Sequence, residues 1–94
     1  MKTPHEYAQE LMLISDKYSK AGELYNNLRK VYAEYYKTFR DTYKSDAGLD
    51  RAFDLTTEGQ EMAEAKLKMK TLEHKASAIK NYLRVMENES RNQY

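Results

Sequence analysis

Met62-Ala63-Glu64-Ala65-Lys66-Leu67-Lys68-Met69-Lys70-Thr71-Leu72-Glu73-His74-Lys75-Ala76-Ser77-Ala78-Ile79-Lys80-Asn81-Tyr82-Leu83-Arg84-Val85-Met86 carries one apolar stripe without a miss. Met62, Ala65, Met69, Leu72, Ala76, Ile79, Leu83 and Met86 follow at alternating steps of three and four. That spacing specifies an amphipathic helix of coiled-coil type. The first half of the chain repeats the pattern through Tyr7, Leu11, Ile14, Tyr18, Ala21, Tyr25, Leu28, Tyr32, Tyr35 and Phe39. Two such stripes joined by a short connection predict an all-α chain. The expected form is an antiparallel coiled-coil-like hairpin that self-associates into a bundle.

The boundaries follow from caps and breakers. Thr3-Pro4-His5-Glu6 reads as a capping box with Pro4 at the first helical position, and the first helix is expected over 4–43. Gly22 is its one weak point and marks a possible bend or close approach. Ser45-Asp46-Ala47-Gly48 is a turn signal, followed by a short helical turn over 50–54 inside a connection spanning 44–56. Thr57-Glu58-Gly59-Gln60 reads as a second capping box, opening a helix over 57–87. Residues 88–94 lack periodicity and are expected to fray. All of this is one domain.

The two stripes differ in size. The first supplies rings, and the second supplies methionine and alanine that rings can lie against. The hairpin places Phe39 near Met62 and Met86 near Ile14. Tyr7 and Leu11 are then left without an opposite number, while Met12 and Leu13 point off the seam. These four residues are the candidate protein-binding surface.

Composition excludes several function classes. No cysteine is present, so disulfides, thiolate nucleophiles and cysteine zinc sites are excluded. His5 and His74 lie far apart without a ligand set, and no phosphate loop or nucleophile motif occurs. No catalytic residue, metal or cofactor is predicted, and an enzyme is the least supported class. No apolar run approaches the roughly 20 residues of a membrane span, and no signal-peptide core follows Met1. A cytoplasmic protein without membrane contact is expected.

Net charge is only +1, so a basic region must be local. Residues 66–84 hold six cations against one acid, Glu73. Lys66, Lys70, Lys80 and Arg84 fall within an arc of about 80° at 100° per residue. Such a stripe can track the phosphates of single-stranded nucleic acid. It can equally be a solvated flank, bridged to Asp16, Glu23 or Glu34 of the first helix. Nine tyrosines are the other oddity. Most belong to the seam. Tyr36, Tyr43 and Tyr82 lie at its edge or beyond, where they could stack on bases or anchor a protein interface.

Leu72-Glu73-His74-Lys75-Ala76-x-Ala78-Ile79-Lys80-x-Tyr82-Leu83-Arg84-Val85-x-Glu87-x-Glu89 follows the Thr57-x-x-Gln60 cap and a tyrosine-rich helix. This organisation resembles small all-helical phage proteins encoded near replication and recombination genes, some similar to the T4-type recombination mediator. The resemblance implies oligomerisation and single-stranded DNA binding. The expected function is thus a non-enzymatic accessory protein of recombination or replication. The alternative is a small phage-type inhibitor or adaptor acting on a protein partner, and a third reading is a self-assembling scaffold.

Overall fold

The computed structural model describes residues 2–92 and is helical almost throughout, with no strand among them. Three helices follow in order: α1 over Pro4–Phe39, α2 over Asp46–Asp54 and α3 over Thr57–Asn92. The molecule is a rod of 69 × 20 × 18 Å. Its radius of gyration is 19.9 Å, against about 12 Å for a compact domain of this length.

Each helix starts on a side-chain cap. Thr3 Oγ1 accepts from the Glu6 amide at 3.2 Å, with Pro4 at the first helical position. Ser45 Oγ accepts from the Gly48 amide at 3.2 Å and starts α2 at Asp46, ahead of the turn read from sequence at 50–54. For α3 the cap is Thr56 and not Thr57. Its Oγ1 accepts from the Gly59 amide at 3.0 Å and donates to the Phe53 carbonyl at 2.6 Å. One hydroxyl therefore ties the start of α3 to the end of α2. Helix α3 continues past Glu87 to Asn92, beyond the expected fraying point, and Gln93 and Tyr94 lie outside the described residues.

Packing follows a strict repeat of seven. Ile14, Ala21 and Leu28 are the buried hydrophobic residues of α1, and Ala65, Leu72 and Ile79 those of α3. A repeat of 3.5 residues per turn keeps one narrow seam facing its partner. Tyr7, Leu11, Tyr18, Ala76 and Leu83 pack half-buried around Ile14, Leu72 and Ile79. Along the seam the Tyr7 and Tyr82 rings lie 5.7 Å apart, and Tyr18 Oη reaches Glu73 at 2.7 Å. Gly22 faces Met69, and Met62 lies beside Arg29 and Ala33. Positions rising along α1 thus meet positions falling along α3.

This register corrects the pairing of Phe39 with Met62 and of Met86 with Ile14. The difference is about ten residues, and α2 is its cause. Helix α1 ends at Phe39 rather than Tyr43, and α2 folds back beneath its last turns. Phe53 lies 5.1 Å from the Tyr32 ring and 5.3 Å from the Tyr35 ring, with the Phe39 ring tilted against Tyr35 at 4.7 Å. Leu49 and Phe53 are the most buried hydrophobic residues among those described. The end of α1 finds its apolar partner in α2, so α3 begins opposite an earlier turn. Tyr7 and Leu11 accordingly do have neighbours on α3, contrary to the sequence reading.

The glycines behave differently from each other. A Cβ on Gly22 would sit 3.9 Å from Met69 Cε, an ordinary contact, and α1 runs through it without interruption. A Cβ on Gly59 would meet the Phe53 carbonyl oxygen at 2.0 Å. Gly22→Ala should therefore raise stability in urea unfolding by about 1 kcal/mol. Gly59→Ala should lower it by roughly 2 kcal/mol, because the α2–α3 joint must open. Equal effects of the two substitutions would show that the joint is not closed this tightly.

Candidate functional site

The seam divides the rod into two flanks with different chemistry. Steps of three and four along one flank of α1 give Ala8, Met12, Ser15, Ser19, Gly22 and Asn26, with no charged side chain. Arg29, Ala33 and Tyr36 continue it. The facing flank of α3 carries Lys66, Lys70, Glu73, Ser77, Lys80, Arg84 and Glu87. Two shallow depressions confirm that these flanks share one side. Leu11, Ser15 and Tyr18 line the first with Leu72, Glu73, Ala76 and Lys80. Arg29, Tyr32, Ala33, Tyr36 and Lys37 line the second with Met62.

Lys66, Lys70, Lys80 and Arg84 are all exposed on this side. Among the described residues the ion pairs within 4 Å are Lys2–Glu10 and Arg40–Asp41, so none of the four is bridged to α1. The reason is angular. Asp16 and Glu23 follow the buried Ile14 and Ala21 by two residues, about 200° round the helix, and so face away from α3. Glu34 belongs to the other flank. The acid within the stripe, Glu73, accepts the Tyr18 hydroxyl. That hydrogen bond holds the Tyr18 phenol pKa above its ordinary value.

The three tyrosines singled out from sequence do not converge. Tyr36 lies on the basic side beside Arg29 and Lys37, half-buried, with its hydroxyl donated to Asp46 at 3.1 Å. Tyr43 lies in the connection after α1, half-buried, close enough to Tyr35 to raise that phenol's pKa. Tyr82 is half exposed against Tyr7. It stands about 200° from both Lys80 and Arg84, on the opposite flank. Met12 is 70% exposed and Leu13 61%. Tyr7 and Leu11 are drawn into the seam cluster. The four therefore form no single patch.

Sequence reasoning missed Tyr18 and Arg29 as members of the basic side. Tyr18 reads as a seam residue, and only the register reveals which α3 side chains surround it. The charge-free run from Ala8 to Asn26 was the available signal. Among the described residues no group of three or more His, Cys, Asp or Glu could hold a metal ion. No described helix is long and apolar enough to cross a membrane. Comparison with known protein families, curated proteins and solved structures returns no match.

Tyr32 closes the end of this side by donating its hydroxyl to Asp50. That bond, reinforced by partial desolvation, pushes the phenol pKa from 10.0 to about 12. The folded chain thus holds a proton that the unfolded chain releases near pH 10. The stabilisation is complete below pH 10 and is lost as pH rises through about 12. Tyr18 and Tyr36 shift in the same direction through their own hydrogen bonds, and Tyr35 does so beside Tyr43. Urea midpoints should fall between pH 10 and 12, and Tyr32→Phe should flatten that fall. An unchanged profile in the variant would remove the Tyr32–Asp50 bond from the account.

Proposed function

We propose that the protein is a non-enzymatic accessory protein of DNA recombination or replication that binds single-stranded nucleic acid along its basic side. One observation carries this reading. Arg29, Lys37, Lys66, Lys70, Lys80 and Arg84 share that side with Glu73 and Glu87 of α3 and with Asp46 and Asp50 of α2, which accept the Tyr36 and Tyr32 hydroxyls. The whole chain is nearly neutral, so the excess is positional rather than compositional. The track from Lys66 to Arg84 is about 27 Å long at 1.5 Å per residue. Its four α3 cations are unbridged and can neutralise phosphates without first breaking ion pairs. Tyr36 offers a ring edge beside Arg29 and Lys37 for a base. The phage-type resemblance of the second half agrees with this reading.

The reading also takes the chain as an antiparallel coiled-coil-like hairpin that self-associates into a bundle in the cytoplasm. The opposed running order of the α1 and α3 contacts supports the hairpin. The thin core and the exposed Leu24, Val31, Leu67 and Val85 support association.

A second reading, a small inhibitor or adaptor that grips a protein partner, draws on the exposure of Met12 and Leu13. It loses Tyr7 and Leu11 to the seam and so has the smaller surface. Its mark would be a complex from lysate that depends on Leu13 and survives nuclease.

Binding of a fluorescent single-stranded oligonucleotide tests the main proposal. The logarithm of affinity should fall against that of salt with a slope of about −3, the value for four neutralised phosphates on a single strand. Lys70→Glu with Lys80→Glu should abolish binding at about 50 mM salt while leaving helicity intact. Unchanged affinity in that double variant would sink the proposal.

A further inference from the structure

The flank opposite the basic side carries a pattern that the nucleic-acid reading does not use. On α1, steps of three and four run from Glu6 and Glu10 through Leu13, Lys17, Lys20, Leu24, Asn27, Val31 and Glu34. On α3 the matching stripe runs through Glu61, Glu64, Lys68, Lys75 and Tyr82. Both stripes share one side. Lys20 and Leu24 line a depression with Glu61, Glu64 and Lys68, and Glu6, Glu10, Leu13 and Lys17 line another with Lys75. The floor of the first depression is Ala21 and Ala65, two buried residues with small side chains. Leu24 stands at its rim, 46% exposed.

Between Leu13 and Glu34 the charges on each stripe change sign at one level. On α1, beyond Glu6 and the Lys2–Glu10 ion pair, the cations Lys17 and Lys20 precede Leu24, and the acid Glu34 follows it. On α3 the acids Glu61 and Glu64 precede residue 67, and the cations Lys68 and Lys75 follow. Gly22 faces Met69, which puts residue 67 level with Leu24. Because α3 runs against α1, the cations nearest that level lie on one side of it on both stripes and the acids nearest it on the other, while Glu6, Glu10 and Glu89 stand beyond the cations at the far end. A second copy laid on this face in parallel register would set like charges together. A copy turned end for end about the level of Leu24 sets Lys17 towards Glu34, Lys68 towards Glu64 and Lys75 towards Glu61. It also brings Leu24 against Leu24 over the shallow alanine floor.

The geometry points to a second copy of this chain as the occupant of that face, in an isologous antiparallel pair with its twofold axis crossing the rod at Leu24. A self-complementary patch is what twofold symmetry requires, and the charge order fixes its direction. The inference deepens the self-association reading and is independent of nucleic-acid binding, whose residues lie on the other flank. The apolar level at Leu13 is a competing axis, but Lys2 already pairs there with Glu10 at 2.6 Å.

The chain has no cysteine, so single thiols can report the axis in the full-length protein. Leu24→Cys should oxidise to a covalent dimer under conditions where Leu13→Cys stays monomeric. Sedimentation should show a dimer that Glu61→Lys with Glu64→Lys weakens roughly tenfold. Adding Lys68→Glu and Lys75→Glu to that variant should restore it. A dimer that links through Leu13→Cys instead, or one not restored by the fourfold exchange, would overturn this interface while leaving self-association standing. A strict monomer at high concentration would overturn both.

Discussion

Phe53 lies between the rings of Tyr32 and Tyr35, at 5.1 and 5.3 Å, while its carbonyl oxygen rests against Gly59 and accepts from Thr56. One residue thus touches the end of α1, belongs to α2 and abuts the first turn of α3. Everything further along the rod inherits its register from this joint. A coiled-coil seam of alternating tyrosine, alanine and leucine tolerates sliding by a heptad, because each repeat presents similar surfaces. The Phe53 plug removes that freedom by filling the space opposite Tyr32 and Tyr35. Glycine at position 59 is the condition for closing it, since any side chain there would meet the carbonyl.

Register then decides which surfaces exist. It places the Tyr18 hydroxyl on Glu73 and lines the charge-free flank of α1 against the cationic flank of α3. The same offset levels Leu24 with the change of charge sign on α3. A slide by one heptad would move residues on α3 about 10 Å. The charge reversals on the two helices would then no longer coincide. The basic side and the self-complementary side are consequences of one alignment, seen from opposite flanks of the same thin seam.

The rod shape has its own cost. Two helices share one line of contact, and the buried residues of α1 and α3 include two alanines. A chain of this length buries little apolar area by itself. The exposed leucines and valines on the outer surfaces are the material from which further burial can be drawn. Association on one flank leaves the other open to a ligand, so the two proposed contacts do not compete for space.

The seams, the Thr3 cap, the all-α class and the cationic arc of α3 were legible in the sequence, because each depends on residues near one another along the chain. Helical periodicity places Lys66, Lys70, Lys80 and Arg84 on one stripe whatever the rest of the molecule does. Which residues stand opposite them was not legible. That depends on how far α2 folds back, and a nine-residue helix held by Phe53 and Leu49 leaves only a short, weakly periodic trace. The sequence therefore paired Phe39 with Met62, left Tyr7 and Leu11 without neighbours, and grouped Tyr82 with tyrosines from which the fold separates it. Local spacing determines what each helix can present. Only tertiary packing, through the one joint where three helices meet, decides what it presents it to.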